Sequence, residues 1–121
     1  QENNNGENND NVIETFEVSA ENSLKALANS LMKTSPAKGL AIYTKTTKLY
    51  PESAYAHSSL AKAHIEQGNI KKAIEIQNIA VEKSKSMVEW HQNKHIEYLN
   101  EFEAMLNVSP QHKAPKQSGQ K

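Results

Sequence analysis

The chain has 121 residues, no cysteine, and 14 basic residues balanced by 14 acidic ones. That length suits one domain, since typical domains run to about 100–150 residues, and its 36% apolar content falls below the roughly 45–50% of an average globular chain. Disulfides and thiolate metal sites are excluded, and no apolar run approaches the ~20 residues of a membrane span. All the basic residues are lysine, so a neutral chain also lacks the arginine forks that read phosphates and base edges, and nucleic acid is not an expected partner.

Six of the first eleven residues are asparagine, and residues 1–17 carry five acids without a lysine. Such a segment buries too little apolar surface to offset its ordering entropy, which predicts a disordered tail over 1–17. The start at Gln1 points to processing or to excision from a longer chain. A helical domain is expected over 18–106. Ser19 can cap a first helix carrying Leu24, Leu27, Leu31 and Met32. Ser35-Pro36 places a cap before proline at the first helical position, opening a second helix with Leu40, Ile42, Tyr43 and Leu49. Tyr50-Pro51 ends it, because a residue before proline is pushed out of the helical region. Ser53 begins a third helix with Leu60, Ala61, His64 and Ile65, and Gly68-Asn69 closes it and starts the next. The fourth holds Ile70, Ala73, Ile74, Ile76, Ile79, Ala80 and Val81. Ser86-Met87-Val88-Glu89 has capping-box spacing and predicts a fifth helix through Trp90, Ile96, Leu99, Phe102 and Leu106. Residues 107–121 have three lysines, two prolines and no acid, and read as a disordered basic tail.

Such short connections force neighbouring helices to run antiparallel, giving a row of helical hairpins. The segment Ala54 to Met87 is 34 residues long and resembles the tetratricopeptide repeat. Leu60 and Ala61 match the large-small pair of its first helix, Gly68 its turn, and Ile70, Ala73 and Ala80 the residues that let its second helix pack closely. The preceding unit, Ala20 to Ser53, offers Leu27, Gly39, Tyr43 and Pro51 at repeat positions, with Gly39 where the family usually has alanine. His57 and His64 stand where it favours aromatics, Gln77 where it favours phenylalanine, and Lys85 where it favours proline. The resemblance implies an all-α fold of antiparallel hairpins stacked as a short right-handed solenoid, two repeats and a capping helix. The lead-in from Phe16 to Asn22 and the turn from Leu49 to Ala54 are also similar to tetratricopeptide tails that follow the catalytic domain of some bacterial serine hydrolases. That likeness implies, as an alternative, an accessory or oligomerisation domain of a larger enzyme.

The chemistry-bearing residues point away from catalysis. Ser59-Leu60-Ala61-Lys62 has the S-x-x-K spacing of penicillin-recognising enzymes, but neither companion motif, S-D-N nor K-T-G, occurs. No nucleophile elbow, phosphate-binding glycine loop or H-E-x-x-H is present either. His91 and His95 share a helical face at ligand spacing, yet no third ligand falls on that face, so they read as partly exposed polar residues. His57 and His64 read as packed side chains that hydrogen-bond a neighbour. No cofactor or metal is expected.

In tetratricopeptide arrays the first helix of each unit lines a concave groove that takes protein or peptide. Carried over by position, the resemblance implies a groove of Tyr55, Ser58, Ser59, Lys62 and Glu66 on the third helix. Glu21, Leu24, Ala28 and Met32 would flank it on one side, and Glu89, Gln92, Asn93 and Ile96 on the other. The lysine-asparagine-arginine clamp of chaperone-binding repeats is not matched, since Ser59, Glu89 and Asn93 stand at the corresponding places. The expectation is therefore a non-catalytic protein- or peptide-binding scaffold with one aromatic anchor, Tyr55.

Overall fold

The computed structural model describes residues 19–108. Within them the protein is all-α. Helix α1 spans residues 19–34, α2 Pro36–Leu49, α3 Ala54–Glu66, α4 Ile70–Lys83 and α5 Glu89–Val108, with a 3-10 turn Ser84–Ser86 before α5. No strand occurs among the described residues. The expected tail over 1–17 lies outside them, as does 109–121. Residues 107 and 108, expected to open the second tail, instead complete α5.

The helix boundaries follow local chemistry. A single residue, Ser35, separates α1 from α2, and Pro36 fills the first helical position, where its missing N–H costs nothing. The Ser35 side chain makes no cap bond, contrary to its expected role; proline alone sets this start. Ser53 does cap α3, its Oγ accepting from the Ala56 N–H at 3.1 Å. Gly68, at φ 81°, adopts the left-handed conformation that ends α3, with Asn69 N–H donating to His64 O at 2.8 Å in the Schellman pattern. The capping box at Ser86 does not form. The chain makes a 3-10 turn there, and α5 starts only at Glu89, its first turn held by Gln92 Nε2 donating to Met87 O at 2.6 Å.

Consecutive helices pack on each other, α3 most extensively against α4, with α4–α5 and α2–α3 next and a lighter α3–α5 contact. The core consists of Ala28, Met32, Tyr43, Leu60, Ala61, Ala63, Ala73, Ile76 and Phe102. Its alanines bring helix axes close, so that dispersion over many short contacts, rather than large side chains, carries the packing. Ala73 on α4 is fully buried. Ala73→Leu should overpack this layer and lower stability by roughly 1–3 kcal/mol, read from the denaturant midpoint. Helices α1 and α2 approach closely at Gly39. A Cβ added at Gly39 would stand 2.7 Å from Met32 Sδ and 2.9 Å from both Ala28 O and Met32 N, so this glycine, where an alanine was expected, lets two backbones cross. Among the described residues no helix is long and apolar enough to cross a membrane.

Candidate functional site

Helices α1, α3 and α5 meet around Tyr55. Its ring packs on His95 at 4.5 Å between centroids, and its hydroxyl shares a 2.6 Å hydrogen bond with His91 Nδ1. Lys25 of α1 places its Nζ 5.7 Å from the same ring, and Glu21 ties α1 to α3 by accepting from the Ser53 hydroxyl at 2.5 Å. Farther along this face Lys62 Nζ sits 3.8 Å above the Tyr98 ring, with Lys94 Nζ at 5.8 Å. Trp90 stacks on His91 at 4.1 Å while remaining 61% exposed. A shallow open depression of about 250 Å³ follows α5 between Trp90, Asn93, Lys94 and Glu97, positions spaced three and four apart along one helical stripe.

Beneath the face lies a buried polar layer that no single helix could build. Ser58 of α3, Gln77 of α4 and His95 of α5 are 2% exposed or less. Gln77 Nε2 donates to His95 O at 2.9 Å, and because a carbonyl only accepts, this contact fixes the amide orientation. Gln77 Oε1 then faces Ser58, whose hydroxyl must donate to it at 3.0 Å. The remaining Ser58 lone pair accepts from His95 Nδ1–H at 2.7 Å. His95 is thereby held as the Nδ1–H tautomer, and its Nε2 is a bare lone pair with no partner. Burial first, then His91 and Lys62, pushes this imidazole down to about 4, so it is neutral at pH 7.

This Ser–His contact is not an activated nucleophile. The Ser58 proton points to Gln77 and the histidine donates toward the serine, the reverse of what a general base requires. Nor do three His, Cys, Asp or Glu side chains converge to hold a metal among the described residues. The Nδ1 of His91 is already engaged by Tyr55.

No protein-family model, curated protein or solved structure matches this chain. What the face can do must come from its own side chains.

Of the groove residues expected from sequence, Tyr55, Ser59, Leu24, Gln92 and Glu21 are half-buried, and Lys62, Glu66, Glu89, Asn93 and Ile96 are exposed. Three of the expected positions are corrected. Ser58 turns into the polar layer, and Ala28 and Met32 form the core against α2, so none of the three offers surface to a partner. His95 is likewise wholly buried instead of partly exposed, whereas Trp90 and Leu27, expected on apolar faces, are about half exposed or more. His57 and His64 do hydrogen-bond neighbours, to Pro51 O at 3.0 Å and with Asn69 Nδ2 at 3.3 Å, but at half-exposed positions outside the core cluster. Sequence reasoning gave no role to Lys25, Lys94 or Tyr98. The polar layer did leave a signal. Gln77 falls in the α4 stripe of Ala73, Ile76 and Ala80, and His95 seven residues before Phe102, so each is a polar residue on a buried stripe.

Proposed function

We propose that this domain is a non-catalytic interaction module of the tetratricopeptide type, holding an extended segment of a protein partner along the face of α1, α3 and α5. The observation that carries the reading is Tyr55. It joins three helices that are not consecutive in the chain, which is the placement that would make the first helices of successive hairpins share one concave surface. Around it the face mixes exposed indole, half-buried aromatic rings and lysines, the chemistry that anchors peptide backbones and side chains alike. Lys62 faces the Tyr98 ring and pairs with no carboxylate among the described residues, which leaves its charge available to a partner's acid.

The test is selection of binders from a random peptide display library on the domain, followed by variants away from the buried layer. Trp90→Ala and Lys62→Glu should each weaken the enriched peptides by about tenfold, a loss of roughly 1.4 kcal/mol. Lys71→Glu, an exposed lysine on α4, should leave them unchanged. Peptides indifferent to both face variants, or equally sensitive to Lys71→Glu, would place binding elsewhere.

A further inference from the structure

We propose that Ser58, Gln77 and His95 form an acid-sensitive latch that holds α5 on the α3–α4 hairpin and releases it when His95 takes up a proton at Nε2. Of the 20 residues of α5 only two are buried, Phe102 and His95. Half of that buried anchor is therefore a titratable group. Its other polar atoms are committed: Nδ1–H to Ser58 and the main-chain carbonyl to Gln77. A proton arriving at Nε2 creates a new N–H with no acceptor and a positive charge with no solvent, both of which favour the open state.

Among the described residues no counter-charge faces His95. From α5 itself His91 and Tyr98 face His95, from α3 Tyr55 and Lys62, and from α4 the amide of Gln77, which does not titrate. On α1, Lys25 lies over the Tyr55 ring, with its charge partly matched by Glu21 at 3.8 Å. Lys62 and a charged His91 both oppose protonation in the closed state.

The sign follows from linkage. His95 has an ordinary histidine pKa near 6.5 when released and about 4 when latched, so the closed form is favoured above 6.5 and loses ground as pH falls toward 4. Between about pH 7.5 and about pH 5 the closed-to-open ratio should fall by roughly thirtyfold. Helix α5 gives way before the rest because α3 is gripped on both sides, by α2 and α4, whereas α5 closes the described array. Its release removes His91, Trp90, Lys94 and Tyr98 from the face around Tyr55. The latch does not depend on the peptide-binding reading, because it is read without any ligand.

Amide hydrogen exchange on the full chain tests it. After correction for the intrinsic pH dependence of exchange, protection in α5 should drop by roughly thirtyfold from about pH 7.5 to about pH 5, ahead of α2 and α3. In His95→Gln, which cannot titrate there, that drop should vanish. Should this variant not fold, the imidazole nitrogen signals of the unaltered protein serve instead, with a neutral His95 carrying its proton on Nδ1 at about pH 7.5. Protection in α5 that is constant with pH, that falls in step with α2, or that falls equally in His95→Gln would overturn the latch. So would a proton found on Nε2 at about pH 7.5.

Discussion

Gly39→Val should destabilise the domain by about 3 kcal/mol, and Gly39→Ala by about 2 kcal/mol, although either residue is a better helix former than glycine. Propensity alone would predict a gain of up to about 1 kcal/mol for alanine in the interior of α2. Packing opposes it. The new Cβ would meet two main-chain atoms of α1, Ala28 O and Met32 N, each at 2.9 Å, and neither can rotate away as a side chain does. Met32 Sδ, at 2.7 Å, could move, but Met32 is itself a buried core residue. Relief therefore means lifting α1 from α2, which opens the contact around Ala28, Met32 and Tyr43. Valine adds two methyl groups to the same crossing. The control is Ala41→Gly, at an exposed position of the same helix, which should cost about 1 kcal/mol by propensity alone. Urea midpoints of the three variants check the ordering. A stabilised Gly39→Ala would mean that the two backbones do not cross closely.

That glycine illustrates which part of the fold was legible. The number of helices and most of their ends follow from local rules, a proline at the first helical position at Pro36, a serine cap at Ser53, and a left-handed glycine at Gly68, because each acts within a few residues. Gly39 was visible only as a departure from an expected alanine. Its reason lies in a main-chain crossing between two helices, which no local pattern contains. The start of α5 was misplaced for a related cause. Ser86 has capping-box spacing, but Ser84 is buried and its hydroxyl donates back to Val81 O at 2.7 Å, drawing the chain into a 3-10 turn. Helix α5 therefore begins at Glu89, two residues later than a cap at Ser86 would place it.

The face was legible in outline and not in depth. Positions seven apart on α3 correctly place Tyr55 and Lys62 together, because helical geometry alone decides that. Ser58 and Ser59 are adjacent in sequence and chemically identical, yet one is buried in the polar layer and the other is half-buried at the edge of the face. Their difference is set by where α4 and α5 lie, so it appears only after packing. The same holds for His95, whose spacing from His91 suggested a shared outer face. Tyr55 instead lies between them, taking the His91 nitrogen with its hydroxyl and covering His95 with its ring.

Ser58→Ala should cost about 3 kcal/mol, against less than about 0.5 kcal/mol for Ser59→Ala one residue on. The substitution leaves almost no cavity and slightly favours the helix, so its cost is electrostatic. Ser58 is the junction of the layer, donating to Gln77 Oε1 at 3.0 Å and accepting from His95 Nδ1 at 2.7 Å. Alanine leaves that acceptor and that donor both buried without partners, at about 1–3 kcal/mol each. Neither can repair itself. The Gln77 amide is locked by Nε2 on His95 O, and moving the imidazole proton to Nε2 would only put a buried N–H where no acceptor stands. Adding Gln77→Leu to Ser58→Ala removes one orphan, so the double variant should be less destabilised than the sum of the singles by about 1–2 kcal/mol. Chemical denaturation of the four proteins in this cycle measures the coupling. Strict additivity would mean that Ser58 and Gln77 do not share a buried bond, and with it the tautomer assigned to His95 would lose its basis.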